Sequence, residues 1–254
     1  VTTYNPFQPF SCWIEKATYK DDIPTLSNLT LTFENICKLA TEVGFDACGV
    51  APVRRLDDDA QFMDSWLAQG LHGEMDYLER NRDKRYDPSV LVPGAQIVVV
   101  CLLSFEHSGR DYHRRVKSML YALEAKLKEH FGEDIVSNTH QHIFCDSAPM
   151  LERRWAVEAG LGWIGKNHQL IHPTLGSMVH PGEIILNLPV NADITPKGYR
   201  RDTEGICADC RLCLDACPTG ALRNSVWDAR ECIAYTTHHC LECQIVCPYN
   251  NCKQ

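Results

Sequence analysis

The sequence predicts a protein of the α/β (α+β) class, in which a layered α/β domain is followed by a smaller cysteine-rich domain. Segments with strand-like and helix-like apolar spacing alternate up to about residue 190, which favours helices layered on a sheet. A polar, basic linker follows at residues 197–202, and nine of the 14 cysteines lie between Cys207 and Cys252. We therefore expect an irregular arm over residues 1–30, the α/β domain over 31–202 and the cysteine-rich domain over 203–254.

Apolar periodicity predicts the helices of the α/β domain. The clearest stripe recurs at helical spacing from Val116 to Leu127. A second stripe runs from Phe33 to Val43 and is ended by Gly44. Further helices are predicted over residues 62–69, 74–80 and 151–159, the last ended by Gly160.

Four strands are predicted between these helices. The run over residues 96–105 is nearly continuous and rich in Val and Ile, which is typical of a strand buried on both faces. Shorter strands are predicted over residues 47–53, 142–145 and 183–188.

Composition and charge exclude several classes of protein. Hydrophobic residues make up 44% and charged residues 23% of the chain, as in a globular protein rather than a disordered one. The longest apolar run, Ile97–Leu103, is far too short to span a bilayer, and no secretory signal is visible, so we expect a cytoplasmic protein without a membrane partner. The formal charge of −8 argues against a general binder of polyanions and confines any such contact to a local basic patch.

The cysteine-rich region begins with Cys207-x2-Cys210-x2-Cys213-x3-Cys217-Pro218. This is the bacterial ferredoxin spacing for [4Fe–4S] clusters, in which three closely spaced thiolates hold one cluster and the fourth ligates a second cluster. A structural zinc site is the alternative, but such a site needs only paired C-x2-C units. The spacing therefore favours iron–sulfur clusters.

A second motif completes the set of ligands for two clusters. Cys240-x2-Cys243-x3-Cys247-Pro248 lacks one cysteine of the full run, and Cys232 supplies it. The crossover rule divides the eight cysteines into two sets of four: Cys207, Cys210, Cys213 and Cys247 for one cluster, and Cys217, Cys232, Cys240 and Cys243 for the other. Two neighbouring clusters indicate transfer of single electrons. The six remaining cysteines are predicted to be free thiols with an ordinary packing role: Cys12, Cys37, Cys48, Cys101, Cys145 and Cys252.

Asp146 is the candidate catalytic residue of the α/β domain. It follows a predicted strand and precedes a predicted helix, and a carboxyl group at a strand end is well placed for catalysis. Partial burial would keep a proton on it near neutral pH and allow it to act as a general acid. The alternative is an N-cap of the following helix, a position that Asp favours. The nearby Gly160-Leu-Gly162-Trp-Ile-Gly165 follows a helix rather than a strand, which argues against a dinucleotide site.

Several further motifs resemble those of the epoxyqueuosine reductase family, over about residues 31–250. They include His72-Gly-Glu-Met-Asp-Tyr-Leu, Lys84-Arg-Tyr-Asp-Pro88, Gly109-Arg-Asp-Tyr-His113, Asp146-Ser-Ala-Pro-Met-Leu-Glu-Arg153, Gly160-Leu-Gly-Trp-Ile-Gly-Lys-Asn167 and the two cysteine motifs. The resemblance implies two cofactors, the double [4Fe–4S] set and a base-off cobalamin bound in the α/β domain. It also places the proton donor of the family on Asp146. Positions implied to contact the corrinoid are Arg85, Asp146, Leu170, Pro181, Leu241 and Glu242, with Lys166 and Asn167 in the adjoining glycine-rich motif.

The chemistry that the resemblance implies is the two-electron reduction of epoxyqueuosine to queuosine in a tRNA anticodon loop. The implied partners are that tRNA and a low-potential electron donor such as flavodoxin or ferredoxin. Two basic segments are candidates for the tRNA contact: Arg110, His113, Arg114, Arg115 and Lys117 in the first, and Lys197, Arg200 and Arg201 in the second. The sequence departs from the family in the short connection of seven residues between Cys232 and Cys240.

Two other functions remain open at the level of sequence. A corrinoid reductive dehalogenase would use the same cofactors. A two-cluster electron-transfer protein would use the α/β domain only to dock a partner.

Overall fold

A computed structural model describes residues 32–135, 142–188, 207, 209–222, 226–237 and 240–251. The predicted arm, the second basic segment and the predicted boundary at residues 202/203 lie outside these residues, as do Cys12 and Cys252. Within the described ranges the strands are β1 (Ala47–Pro52), β2 (Ile97–Ser104), β3 (Ile143–Phe144), β4 (Trp163–Ile164), β5 (Leu170–Ile171) and β6 (Val179–Leu186).

A four-stranded sheet forms the centre of the α/β domain. Its strand order is β1-β2-β6-β3, and every neighbouring pair is antiparallel. The register pairs Cys48 with Cys101 and Phe144 with Glu183. The strands β4 and β5 form a separate antiparallel hairpin.

Seven α-helices accompany the sheet in the described part of the α/β domain. They are α1 (Phe33–Val43), α2 (Asp57–Ala68), α3 (Arg82–Tyr86), α4 (Pro88–Leu91), α5 (Phe105–Ser108), α6 (Tyr112–Phe131) and α7 (Glu152–Glu158). Thr32 caps the start of α1 through a hydrogen bond from the Asn35 amide, and Gly44, with φ of +106°, ends that helix as predicted. No helix in the described ranges is long and apolar enough to cross a membrane.

Helices cover both faces of the sheet. On one face, α1 and α6 pack through Ile36, Val116, Leu120, Leu123 and Leu127, all almost completely buried. On the other face, α7 packs through Trp155 and Ala156 against Val98, Val100 and Ile185. All eight residues of β2 are buried, which confirms the prediction of a strand covered on both sides. The cores hold the sheet rigidly between the helices, since burial of each large aliphatic side chain contributes about 1.5–3 kcal/mol.

Three predicted segments differ from the structure in extent. Residues 74–80 form only a short 3₁₀ turn at Asp76–Leu78, because Gly73 and Asn81 on either side have positive φ. The helix α2 begins five residues earlier than predicted, at an acidic first turn that favours a helix start. The strand β6 begins at Val179, although Pro181 and Gly182 resemble strand breakers. A Cβ on Gly182 would lie 2.5 Å from Val116 Cγ1, so glycine there lets α6 pack closely on β6.

The cysteine-rich segment consists of short helices joined by turns. They are α8 (Leu212–Asp215), α9 (Ile233–Thr237), α10 (Glu242–Ile245) and α11 (Pro248–Asn251). The segment is fastened to the α/β domain by direct contacts. The Trp66 Nε1–H donates to the Trp227 carbonyl at 2.6 Å, and the two indole rings stack with centroids 5.6 Å apart. The Glu74 amide donates to the Tyr235 hydroxyl at 2.8 Å.

Candidate active site

Asp146 lies on the loop that follows β3, with its backbone in the left-handed region at φ of +53°. Its Oδ2 accepts a hydrogen bond from the Tyr112 hydroxyl at 2.7 Å, and its amide donates to Glu152 Oε1 at 2.6 Å. The helix α7 starts later, with Leu151 at the N-cap position and no side-chain cap. The N-cap alternative for Asp146 is therefore wrong, and its carboxylate is free for another role.

A column of four stacked rings holds Tyr112 in place. Tyr112 stacks on His180 with ring centroids 3.6 Å apart and on His113 with centroids 3.9 Å apart. Phe105 continues the column on the far side of His180 at 4.3 Å. Burial lowers the pKa of His180 to about 4, so this ring is neutral at pH 7. The column fixes the direction of the Tyr112 hydroxyl toward Asp146.

His113 and Cys145 complete the immediate surroundings of Asp146. His113 Nδ1 lies 3.8 Å from Asp146 Oδ2 and 4.0 Å from Cys145 Sγ. These three side chains are close enough to hold a metal ion, but the nearer carboxylate oxygen already accepts from Tyr112. Burial, together with the charges of Asp146 and Glu152, raises the pKa of the Cys145 thiol. Cys145 is therefore a protonated thiol at neutral pH.

Three carboxyl groups share the interior of the site: Asp146, Glu152 and Glu183. Burial raises the pKa of Glu183 well above its ordinary value, and the charge of Asp146 acts in the same direction. Burial also raises the pKa of Glu152, and the charges of Glu183 and Asp146 add to that effect. For Asp146, hydrogen bonds from Glu152 and Tyr112 outweigh burial and lower the pKa.

This distribution differs from the sequence-based expectation for Asp146. We expected burial to keep a proton on Asp146. In the structure Asp146 is the member of the group that receives hydrogen bonds, so it carries the charge and its neighbours carry the protons. A proton that Asp146 delivers must therefore reach it from a neighbouring group.

The first predicted set of cysteine ligands lies close together in the structure. Burial raises the pKa of the Cys213 thiol to about 11, and the charges of Cys207, Cys210 and Cys247 act in the same direction. The pKa of Cys247 is likewise raised by burial and by Cys207 and Cys210. Four neighbouring thiols of this kind form a donor set whose thiolate charge a cationic iron–sulfur core would neutralise.

The second predicted set is also brought together. Burial raises the pKa of Cys243 to about 12, and among the cysteines that add to the effect are Cys217, Cys232 and Cys240. Cys213 of the first set acts on Cys243 as well, so the two sets are neighbours. At Cys217, hydrogen bonds from Thr219 and from following backbone amides outweigh burial and lower the pKa.

The β4–β5 hairpin connects the α/β domain to two cysteine turns, the first around Cys210 and Cys213 and the second around Cys240 and Cys243. Lys166 Nζ donates to the Cys210 carbonyl at 3.0 Å, and Asn167 Nδ2 donates to the Cys243 carbonyl at 3.2 Å. Gly162 has a positive φ, and a Cβ there would lie 2.1 Å from the Ile171 carbonyl oxygen. The glycine-rich motif thus forms a tight hairpin, which the sequence did not predict, and its polar residues hold the cysteine turns.

The remaining positions that the resemblance assigned to the corrinoid have different surroundings. Arg85 and Leu170 are buried, whereas Leu241 and Glu242 are exposed beside the second cysteine turn. Pro181 is half-buried and follows His180 of the ring column. The Arg85 Nε–H has no hydrogen-bond partner among the described residues. Such a buried donor suits a ligand rich in amide and phosphate oxygens.

The first basic segment lies at the start of α6, next to Asp146. Arg110, Arg114 and Arg115 are exposed, and their guanidinium groups form no ion pair with a described carboxylate. Tyr112 and His113 within the same segment contact Asp146. The structure therefore places exposed arginines, which have no ion-pair partner among the described residues, near the candidate catalytic residue.

Sequence reasoning missed Tyr112, Glu152, His180 and Glu183 as parts of the site. Tyr112 and Glu152 belong to motifs that we quoted, but their spacing gave no reason to single them out. Glu183 carried a usable signal, because a lone carboxylate begins a predicted apolar strand. Of the six spare cysteines, Cys101 and Cys145 are buried and Cys37 and Cys48 are half-buried free thiols, as expected.

Comparison with curated proteins finds close relatives of one kind, while comparison with profiles of protein families finds no match. The chain is 35% identical over 246 residues to the epoxyqueuosine reductase of Leadbetterella byssophila, covering 84% of this chain and 78% of the relative. It is 35% identical over 250 residues to the same enzyme of Cyclobacterium marinum, covering 84% and 77%.

Solved structures agree with these relatives. An epoxyqueuosine reductase in complex with a tRNA-Tyr epoxyqueuosine-modified stem loop has a TM-score of 0.73 at 27% identity, covering 87% of this chain and 66% of that one. The Bacillus subtilis enzyme, whose aspartate catalytic loop is swung out of the active site, has a TM-score of 0.72 at 26% identity, covering 87% and 66%.

A catabolic reductive dehalogenase shares the fold alone, with a TM-score of 0.53 at 16% identity, covering 85% of this chain and 31% of that one. The curated relatives, by contrast, are similar in sequence over most of their length. The chain therefore belongs to the epoxyqueuosine reductase family, a family of oxidoreductases.

Proposed function

We propose that this chain reduces epoxyqueuosine to queuosine in the anticodon loop of a tRNA, with electrons that pass through two [4Fe–4S] clusters. The observation that carries the proposal is the position of Arg153. Asp146, Glu152 and Cys243 are all near enough to influence the pKa of its guanidinium group, so the carboxyl site and one predicted cluster ligand lie close to the same side chain. A proton source and an electron source therefore meet at one place.

The proposed clusters use the eight cysteines in the two sets predicted from spacing. Besides burial, the thiols that raise the pKa of Cys213 and Cys247 all belong to the first set, which supports that set. The pKa of Cys243 is raised by burial, by Cys213 and by the three other members of the second set. The effect of Cys213 on Cys243 supports a short path for electrons between the clusters. A small low-potential electron carrier, such as flavodoxin or ferredoxin, is the proposed donor.

The second proposed cofactor is cobalamin. Arg85 offers a buried donor without a partner, and Leu241 offers an apolar side chain that is 41% exposed beside the second cysteine turn. We propose that these two and Glu242 contact the corrinoid, and that Lys166 and Asn167 act by holding the cysteine turns next to it. When bound, the corrinoid would supply a metal centre able to combine single electrons into a two-electron reduction.

Asp146 is the proposed proton donor. Conversion of an epoxide to an alkene consumes two electrons and two protons and releases the oxygen as water. In the structure of the Bacillus subtilis relative, the aspartate catalytic loop is swung out of the active site. Asp146 also lies on a loop, held by Tyr112 and Glu152, so its carboxyl group can reach the departing oxygen of a bound substrate.

The tRNA is proposed to lie across the start of α6. Arg110, Arg114 and Arg115 provide exposed cations there, and phosphate contacts supply much of the affinity for nucleic acids. The modified base would be extruded from the loop toward Asp146. The proposed location is the cytoplasm, where thiols are kept reduced and the tRNA substrate would be available.

The hypothesis of a reductive dehalogenase rests on a shared fold at low identity. The hypothesis of a tRNA-modifying reductase rests on relatives that are similar in sequence over most of the chain. The test is turnover by anaerobically reconstituted protein, supplied with cobalamin, a strong reductant and tRNA that contains epoxyqueuosine. We expect queuosine to appear in the nucleoside digest. If the protein dehalogenated a chlorinated phenol but did not convert the epoxyqueuosine in tRNA, the dehalogenase hypothesis would be favoured.

Two sets of variants check the assigned residues. Asp146→Asn should lower turnover by about 100-fold or more, as loss of a general acid does. Asp58→Asn, at an exposed residue of α2, is the matched control and should retain activity. Cys213→Ser and Cys243→Ser should each lower the iron content by about half. Full iron content in both variants would reject the ligand sets.

A further inference from the structure

Glu183 is a buried carboxyl group in an unusual position. It lies in the middle of the central strand β6, its exposure is 0%, and neither of its oxygens has a hydrogen-bond partner among the described residues. The register places Glu183 opposite Phe144 of β3, and Phe144 precedes Asp146 by two residues. An ionised carboxylate without partners would cost several kcal/mol at such a site, so Glu183 is held as the neutral acid.

Glu152 stands next to Asp146. It is the first residue of α7, half-buried, and its Oε1 accepts the Asp146 amide at 2.6 Å. The Glu152 and Asp146 carboxyl groups are also joined by a side-chain hydrogen bond. Glu183 lies on the same face of β6 as Val179 and Ile185, because the three are separated by even numbers of residues. The helix α7 covers this face, so its side chains and Glu183 lie on one side of the sheet. Glu152 therefore connects the loop of Asp146 to the interior.

We propose that Glu152 and Glu183 are positioning residues that hold protons for Asp146, with Glu152 passing its proton directly to the Asp146 carboxylate. This inference rests on the proposed function and deepens it. Three carboxyl groups carry a single negative charge between them, because Tyr112 donates to Asp146 while Glu183 has no donor. The group therefore stores two protons, the number that the reduction of one epoxide consumes.

The proton steps balance within the group. The Glu152 carboxyl O–H bond breaks as an O–H bond forms on Asp146, which leaves Glu152 as the carboxylate. Asp146 then gives that proton to the oxygen of the opening epoxide. Glu183 restores the proton of Glu152, and a second pass protonates the hydroxyl group that leaves as water. The two electrons come from the low-potential donor through the proposed clusters, and solvent reprotonates the group after product release.

The groups that face Asp146 come from several neighbouring elements. His180 is neutral, and Tyr112 and Cys145 are protonated because burial raises both pKa values. The other groups that act on Asp146 are His113, Glu152, Arg153 and Glu183. Apart from the two glutamates, none of these offers a carboxylic acid proton to Asp146.

The first test needs neither substrate nor turnover. Infrared difference spectra of the cluster-loaded protein at pH 7, in H2O and D2O, report protonated carboxyl groups by their C=O stretch. We expect the spectrum of Glu152→Gln to lack one protonated carboxyl band of the wild type. We expect the same of the spectrum of Glu183→Gln. Glu124→Gln is the matched control, since Glu124 is also buried but is ionised beside Lys128 and His142, and it should lose no such band. Loss of a carboxylate band in Glu152→Gln would overturn the proposal.

The second test separates proton supply from support of the loop. Glutamine at position 152 keeps an oxygen that accepts the Asp146 amide, whereas alanine removes it. Proton supply predicts that Glu152→Gln and Glu152→Ala both lower turnover by about 100-fold, with unchanged affinity for the tRNA. Normal turnover in Glu152→Gln with impaired turnover in Glu152→Ala would show a structural role only and would refute the relay.

The outcomes distinguish this inference from the proposed function. Wild-type protein that shows both protonated bands but never converts epoxyqueuosine would reject the function and leave the proton store intact. Wild-type protein that converts epoxyqueuosine but shows no protonated carboxyl band would reject the proton store alone. If Glu152→Gln does not fold, Glu183→Gln and the wild-type spectrum decide the question.

Discussion

Two buried glutamates illustrate opposite solutions to the burial of a single carboxyl group. Glu183 has no partner and is held neutral, whereas Glu124 on α6 accepts from Lys128 Nζ at 2.8 Å and from His142 Nε2 at 3.0 Å. Hydrogen bonds from Lys128 and His142 outweigh burial and lower the pKa of Glu124. The neutral residue can exchange a proton, and the paired residue stabilises the fold.

The paired glutamate makes stability depend on pH. A carboxyl group whose pKa is lower in the folded state stabilises that state above its unfolded pKa of about 4.3, and the effect is lost as pH falls through the folded pKa. We expect Glu124→Gln to destabilise α6 by about 1–3 kcal/mol at pH 7 and by much less near pH 3. Hydrogen exchange of the α6 amides measures this. Glu133→Gln, at a side chain that is 83% exposed, should change little, and an equal effect at both pH values would contradict the assignment.

Sequence identified Asp146 because a polar residue at the end of an apolar strand is a local pattern. It could not identify Glu152 and Glu183 as partners of Asp146, because their meeting depends on the packing of α7 on β6. The direction of the Asp146 pKa also escaped prediction, since the donors Tyr112 and Glu152 come from separate elements.

Secondary-structure elements were predictable where the periodicity was strong, as in α1, α6 and β2. Strand order was not, because apolar spacing records burial and carries no information on the partner of a strand. The antiparallel order β1-β2-β6-β3 places the last strand of the sheet between β2 and β3. The cysteine ligands were predictable at this scale, since their spacing is local, whereas their attachment to the β4–β5 hairpin was not.

Asn250 on α11 is the residue that fastens the second cysteine turn. Its Nδ2 donates to the Gln244 carbonyl at 2.6 Å and to Ser177 Oγ at 2.9 Å, and its Oδ1 accepts the Ser177 amide at 2.6 Å. Loss of these bonds leaves buried groups unpaired at a cost of about 1–3 kcal/mol. We expect Asn250→Ala to accelerate bleaching of the iron–sulfur absorbance in air by about tenfold.

The control for this variant is Gln69→Ala, which removes only amide hydrogen bonds to Ser65 on α2. It should bleach at the wild-type rate. Equal bleaching of Asn250→Ala and wild type would show that Asn250 does not hold the turn.

The net charge of the whole molecule opposes a polyanionic partner, and among the described residues the start of α6 offers exposed arginines against it. The formal charge is −8, and the proposed clusters with their thiolates make the loaded protein more acidic still. Arg110, Arg114 and Arg115 must therefore supply a confined positive surface. Repulsion elsewhere would restrict the tRNA to one orientation.

Charge reversal tests this surface. The double variant Arg114→Glu and Arg115→Glu should weaken tRNA binding by at least about tenfold and make the dependence of affinity on salt less steep. The midpoint of binding, measured from 50 to 200 mM salt, reports both effects. Lys126→Glu, near the other end of α6, is the control and should bind normally. Unchanged binding in the double variant would place the tRNA elsewhere.

The order of the strands has a consequence for how the chain forms during synthesis. The strand β3 cannot pair until β6 has left the ribosome, because its sheet neighbour is β6 and not the earlier β2. In the nascent chain β1 and β2 can therefore pair while α6 and α7 emerge. The four-stranded sheet is completed only after Leu186 has emerged. The cysteine turns emerge after all the strands of the sheet, onto a completed surface, so iron delivery follows folding of the domain that supports it.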